Sequence, residues 1–483
     1  MRPCVLVLLI LLSGAGRSQS IPQLTPFSRT GDLYVTDAGN DAVYRLQDMN
    51  LDGDYNDAGE VIEFYNDVAG TFELTNNAGV AVGPEGTVYL SDTSKDFILA
   101  LRDLDGDGAA TGTGESWIFF DGNPANNGSG IAMRTPQDVT VDGSGVVWVA
   151  NAGSSAGGVD AIIRLEDLGG APGANDPGEA SLYYTPTPNV SIGDSIPADV
   201  KIGPGGFVYY AEVGATGVFT KGIYRLHDDV VPNGHCNDPG EVTPYYIPSP
   251  LSGNPFYWGF AFDGADVLYV ADVGNDVVWR AEDLDGDLSI ASGTFEESLY
   301  WTAGVSSQNW MVAADSQISI FTAESQSPDR ILRMSDSTIP NGNVNDPGEV
   351  VAVYDETQSP VNISNPRSIA FARRPTLSAP SMVGIGTTGS LEYLGAQGDP
   401  LEVYYSLAPA NQPLPPFGTL GLALLPSPSF GPLYSAVLPS SGVHQLLFPI
   451  PNDPALIGAV FYLQGFSGRS RVEFSNPQMV TLF

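Results

Sequence analysis

The sequence predicts an all-β chain, a six-bladed β-propeller followed by a small β-sandwich. Three observations carry that prediction. One pattern recurs six times between Gly31 and Tyr354, as in GDLYVTDAGNDAVYRL from Gly31, GTVYLSDTSKDFILAL from Gly86 and ADVLYVADVGNDVVWR from Ala265. GVVWVAN from Gly145, GFVYYAEVG from Gly206 and QISIFTAE from Gln317 are shorter or more worn copies. Each copy runs into an acidic loop closed by a glutamate, and these glutamates (Glu60, Glu115, Glu179, Glu241, Glu296, Glu349) stand 53 to 64 residues apart. A β-rich unit of that period cannot bury its own faces and must stack on copies of itself.

The third observation is a missing piece. Five units open with a short apolar strand: GVAV at Gly79, DVTV at Asp138, DVKI at Asp199, GFAF at Gly259 and WMVA at Trp310. The first unit lacks one, and a matching segment, RSIAF from Arg367 to Phe371, follows the sixth. A ring whose last strand completes its first blade has no exposed sheet edge, whereas an open solenoid needs polar caps. The propeller is therefore expected over 21–372, with blade one closed by 366–371.

Ahead of the repeats, Arg2, the apolar run Val5–Leu12 and the small residues through Ser20 read as a signal peptide over 1–20. Later apolar runs fall short of the roughly 18 residues that a membrane span needs. The expected location is secreted, extracellular or periplasmic, with no membrane span. Beyond Ala372 the repeats stop. Residues 373–380 read as a linker, and 381–483, rich in Pro, Gly, Ser and short alternating strands such as LEVYYSLA and GAVFYLQGF, read as a β-sandwich.

Charge narrows the partners. The chain carries 56 acids against 19 bases, a formal charge of −37, and only five of those acids lie beyond Thr376. A field of that sign repels nucleic acid and favours cations. Cys4 lies in the signal segment, so Cys236 is the one cysteine expected in the mature protein and bracing must come from ring closure or metal.

The acidic loops are the metal candidates. DMNLDGDYNDAGE offers Asp48, Asn50, Asp52 and Asp54 around Gly53, with Glu60 closing; DLDGDGAATGTGE offers Asp103, Asp105 and Asp107, then Gly108, with Glu115 closing. Alternating oxygen ligands, a glycine at the sharp turn and a distal carboxylate are what a seven-coordinate Ca²⁺ requires. The fifth unit supplies Asp283, Asp285, Asp287 and Glu296 but places Leu288 where the glycine belongs. Units three, four and six keep the NDPGE turn, lose the acids and read as turns alone. An acid or amide also ends the second strand of every unit (Asp37, Asp92, Asn151, Glu212, Asp272, Glu324). Turn chemistry assigns these to pinning backbone N–H groups.

Residues opening the innermost strands, namely Asn77, Asp138, Asp199, Trp258, Asn309 and Trp310, are the candidates for ligand binding, because they should gather near the axis and differ from blade to blade. Conventional nucleophile chemistry finds no support. GSSAG at Gly153 places Ser155 without a histidine, GIGTTG at Gly384 lacks a strand–helix setting, and the histidines are His227, His235 and His444.

Several resemblances follow from these residues. PQDVTVDGSGVVWVAN from Pro136 resembles the NHL and SMP-30/gluconolactonase group of six-bladed propellers over roughly residues 31–371. That group includes binding platforms and calcium-dependent lactonases with an axial metal held by Glu, Asn and Asp. Asn77, Asp138 and Asp199 are of those types, without an extended motif around them. The acidic loops resemble EF-hand or dockerin loops, with the glutamate one residue later and strands in place of helices. IPNDPALIGAVFYLQ from Ile450, followed by SNPQMVTL, is similar to a C-terminal β-module of large secreted bacterial proteins. The reading is an exported, calcium-stabilised module that binds an extracellular protein or carbohydrate. The alternative is a metal-dependent hydrolase of the lactonase type.

Overall fold

A computed structural model describes residues 32–372 apart from 51, 84–85, 106, 155–156, 186–194, 215–219, 250–254, 264, 304–308, 316–318 and 337–340. Beyond 372 it describes 376–378, 382–383, 385–394, 400–407, 409–414, 418–422, 430–437, 443–450, 453–454, 457, 459–467, 473–474 and 478–482. The expected signal peptide, Ser155 and Gly384 lie outside the described residues. No described helix is long and apolar enough to cross a membrane.

The chain is a β-propeller. Six four-stranded antiparallel sheets follow one another, and their innermost strands touch in an unbroken cycle: Asn77–Val82, Pro136–Val141, Pro197–Ile202, Tyr257–Phe262, Asn309–Ala314 and Pro366–Phe371, which returns to Asn77–Val82. The last of these lies beside Leu33–Asp37, with Leu33 opposite Phe371 and Asp37 opposite Pro366. Below, each sheet is called a blade, and Pro366–Phe371 is the inner strand of blade one.

Neighbouring blades are joined by polar stitches as well as by packing. The Thr36 hydroxyl donates to Ala78 O (3.0 Å) and accepts from Ser368 N (2.9 Å), and Ser368 Oγ accepts from Val80 N (3.2 Å). Apolar cores fill the wedges between blades; Leu33, Leu46 and Tyr55 of blade one pack with Phe321, Ile331 and Tyr354 of blade six. Gly79 is required by this closeness, because a Cβ there would meet the Asp138 backbone at 2.6 Å.

The stretch expected to be a linker contributes a strand. Thr376–Ser378 pairs with Leu394 through Glu392, because LEYL offers it an open edge. Further on, a three-stranded and a six-stranded sheet share one apolar core, with Leu391 of the first packed among Leu401, Val403, Leu463 and Val480 of the second.

Candidate functional site

Two regions concentrate the chemistry: the acidic loops at the rim and the residues at the ends of the inner strands.

In every rim loop the closing glutamate is buried, at most 7% exposed, and serves as an internal brace. Glu60 accepts from Met49 N (2.8 Å), Asn50 N and Asp57 N. Glu115 accepts from Leu104 N (2.8 Å), Asp105 N and Gly112 N (2.7 Å). Glu179, Glu241 and Glu296 accept from backbone N–H groups on both sides of their loops. The opening aspartate accepts the N–H five or six residues on, as Asp103 does from Gly108 (3.0 Å) and Asp228 from Gly234 (2.7 Å). Since loops with and without the central acids share this frame, the frame itself is turn chemistry.

What the frame holds is a clasp between blades, a role that sequence reasoning missed. The residue five or six places before each glutamate donates its N–H to the outer strand of the preceding blade: Tyr55 to Val353 (2.7 Å), Ala110 to Phe64, Ala174 to Phe119, Cys236 to Tyr183, Ile290 to Tyr245 and Val344 to Tyr300. All six side chains are buried. A lone apolar residue at that offset in a polar loop was the available signal. Cys236 is one of them, and burial pushes its thiol up to about 12, so it is packing rather than a nucleophile.

Only the central residues distinguish the calcium candidates. Asp105 accepts from Asp107 N, and Asp107 accepts from Ala109 N, a staircase that keeps both carboxylates on the exposed side of the loop. Ligand oxygens of Asp103, Asp105 and Glu115 all lie within 4.8 Å of one another, as do those of Asp283, Asp285 and Asp287. That span is about twice a Ca²⁺–O bond, so one ion can reach each set. Gly53 and Gly108 take φ of 99° and 95°, while Leu288 is held at 66°, so the fifth loop makes the same turn under strain. In blade one Asp48, Asp52 and Glu60 do not form such a three-carboxylate group; the Asn50 amide donates to Asp52 and Asp57, and Asp54 accepts from Asn56 N. In blade four, read from sequence as a turn alone, His235, Asp238 and Glu241 gather within the same 4.8 Å, because HCND brings a ring nitrogen where the other loops have none.

The acids ending the second strands bind backbone. Asp37 accepts from Gly39, Asn40, Ser364 and Asn365, and Asp92 accepts from Thr75, Asn76, Ser94 and Lys95.

At the axis two predicted residues meet. Asp138 and Asp199, both fully buried, share the ammonium of Lys201: Nζ lies 2.7 Å from Asp138 Oδ2 and also pairs with Asp199 Oδ1. Asp199 Oδ2 accepts from Phe260 N (2.7 Å), whereas Asp138 Oδ1 is buried without a hydrogen-bond partner. Burial raises the pKa of Asp138 well above the usual carboxylate range, with Asp199 adding to the rise and Lys201 opposing it. For Lys201, burial works against the charge, yet the two aspartates outweigh it and hold its pKa above that of an ordinary lysine. Lys201 was not foreseen. Its signal is a lysine inside DVKI, an otherwise buried strand, in a chain with three lysines.

Asn77 does not join them. Its amide donates to Ala42 O (2.6 Å), and its Oδ1 is buried without a partner. Asn309 pairs through its backbone with Glu324, and its side chain lies outside the described residues. Trp258 and Trp310 meet edge to face with ring centroids 5.4 Å apart, and Arg367, also unforeseen, lies 5.6 Å over Trp310.

No protein-family model and no curated protein matches this chain. Among solved structures, the chain is similar to virginiamycin B lyase from Staphylococcus aureus at 14% identity, covering 76% of this chain and 92% of that one with a TM-score of 0.40. It is likewise similar to a structure titled a putative gluconolactonase (14% identity, 67% and 86% covered, TM-score 0.39). A third is the calcium-binding protein regucalcin from Agrobacterium tumefaciens (12%, 66% and 82%, 0.35). At these identities and scores none of them assigns an activity.

Proposed function

We propose that this chain is an exported, calcium-stabilised propeller that works as a binding or scaffold module rather than as an enzyme. The observation that carries the reading is Lys201. An axial pair of buried carboxylates is where a catalytic cation would be held, and here the cation between Asp138 and Asp199 is the chain's own ammonium. A metal entering there must displace a lysine that two carboxylates hold in place. The rim supports the calcium half of the proposal, since Asp103, Asp105 and Glu115 fit one hard cation and sit in a clasp that ties blade two to blade one. Calcium in that loop would therefore stabilise the contact between blades one and two. Export and the extracellular location rest on the leader-like first 20 residues and the acidic composition.

The second reading, a metal-dependent hydrolase of the lactonase type, has one observation in its favour: Asp138 and Asp199 do converge. It requires Lys201 to give way. Assaying lactones and esters with calcium and with chelator separates the two. The module reading expects no turnover in either; chelator-sensitive hydrolysis abolished by Asp138→Asn would establish the hydrolase.

A further inference from the structure

Every blade carries a β-bulge at one register position. Pairing slips between Asn77 and Val80, Pro136 and Asp138, Pro197 and Asp199, Tyr257 and Gly259, and Asn309 and Val312, and again opposite Val35 and Asp37. The second residue of each inner strand falls in that slip, and a bulge re-aims the side chain it carries. Around the ring these residues are Ala78, Gln137, Ala198, Trp258, Trp310 and Arg367. Three consecutive blades thus contribute two small side chains and an amide, and the other three contribute two indoles and a guanidinium. Phe256 extends the aromatic run, stacked on Trp258 with centroids 5.1 Å apart and planes 23° apart. Trp310 is fixed in turn, its Nε1 donating to Ser325 Oγ at 2.7 Å.

Arg367 and Arg225 stand apart from the ion-paired arginines; Arg225 lies 5.3 Å over Phe207, and its Nε and Nη1 likewise meet no acceptor among the described residues. Arg45, Arg134, Arg164, Arg280 and Arg330 each have a carboxylate partner. Among the described residues Arg367 has none, and its buried Nε meets no acceptor. Burial alone pulls its pKa below the ordinary arginine value, with no carboxylate pushing back. A half-buried guanidinium with an unused Nε donor costs free energy unless something satisfies it. Unlike Arg225, Arg367 stands at the bulge of an inner strand, where an outside group can supply the acceptor.

We infer that Arg367, Trp310 and Trp258 form a binding site for an acidic sugar, a hexuronic acid or a glycan bearing one. The guanidinium takes the carboxylate through its planar pair of N–H donors. The indole surface that Phe256, Arg367 and the mutual edge-to-face contact leave uncovered offers an apolar wall for the C–H side of the pyranose ring, and Gln137 holds the same register position on blade three for hydroxyls. A monoanion fits better than a phosphate dianion, because the whole chain and the Asp138–Asp199 pair oppose a second negative charge. This assignment rests on the module reading and names its ligand class.

The test is isothermal titration of the full chain in calcium with D-glucuronate, D-galacturonate, digalacturonate and glucose. Uronates are expected to bind and glucose is not, with affinity falling as salt rises. Digalacturonate binding more tightly than the monomer points to a polymer as the source, and equal affinity points to the free acid. Arg367→Gln should weaken uronate binding about ten- to hundredfold, the worth of a charge-assisted hydrogen bond. Trp310→Phe should keep most of the binding, and Trp310→Ala should lose it. Glucose binding as well as glucuronate, or no uronate heat, would overturn the inference on the unmodified protein, whether or not Arg367→Gln folds. So would a folded Arg367→Gln that binds normally. Chelator-sensitive lactone turnover would instead sink the module reading and leave a uronate site standing.

Discussion

Replacing Lys201 by methionine removes the one cation that faces two buried carboxylates. Asp138 and Asp199 are each 0% exposed, and the ammonium lies within hydrogen-bond distance of both. Methionine fills much the same volume, so the loss is electrostatic. Removing one partner from a buried ion pair costs about 3–5 kcal/mol, because the other is left uncompensated. For a domain of this size that is a fall in Tm of roughly 6–10 °C. The pH dependence is more diagnostic than the size. Asp138 already has a raised pKa in the folded protein, so its contribution to stability is present below the unfolded carboxylate pKa and is lost as pH rises through the folded one. Without Lys201 the only opposing influence disappears, the folded pKa rises further, and the loss at neutral pH grows. The gap in Tm between Lys201→Met and the parent should therefore be widest near pH 7–8 and close towards pH 4. Differential scanning calorimetry across that range reads it directly, and adding Asp138→Asn to Lys201→Met should recover part of the stability. A Lys201→Met protein that melts like the parent, or a gap that is the same at pH 4 and pH 8, would refute the view that this ammonium is the axial counter-charge.

Three further outcomes follow from the rim and the closure. Chelation should lower Tm by several degrees, since a site saturated at about a hundred times its Kd adds about 2.7 kcal/mol; Asp105→Ala with Asp107→Ala should remove most of that response, while Asp176→Ala in blade three leaves it. Glu179→Ala strips the acceptors of Leu168 N and Asp176 N, so it should cost about 2 kcal/mol or more by denaturant titration, equally with and without calcium. Deleting 366–483 removes the strand beside Leu33–Asp37 and should abolish cooperative unfolding, whereas a well-folded 21–365 fragment would show that this strand is not needed for closure.

Much of the architecture was legible because a propeller repeats its own text. GVAV, DVTV, DVKI, GFAF and RSIAF each fall inside an inner strand, and a period-2 apolar pattern between turn residues leaves few other assignments. The rim was half legible. Spacing picked out the opening aspartates and closing glutamates, but could not separate bracing from ligation, since the same carboxylates do the bracing in NDPGE loops without central acids. The axis was the least legible. Asp138 and Asp199 were singled out because they open inner strands, yet their partner Lys201 lies two residues past Asp199 on its own strand and 63 residues from Asp138. Arg367 reads as the start of a closing strand, and only the ring brings it to Trp310. Contacts of that kind are set by closure, which a local pattern does not encode.

The location of bound metal tests the account most directly. The parent protein, Asp138→Asn and the double variant Asp105→Ala with Asp107→Ala are loaded with calcium and desalted, and metal per chain is measured by mass spectrometry alongside lactone hydrolysis. The account predicts that Asp138→Asn keeps the parent's calcium content, that the rim variant loses calcium, and that none of the three hydrolyses lactone. Calcium lost on Asp138→Asn but kept in the rim variant, accompanied by turnover in the parent, would contradict it.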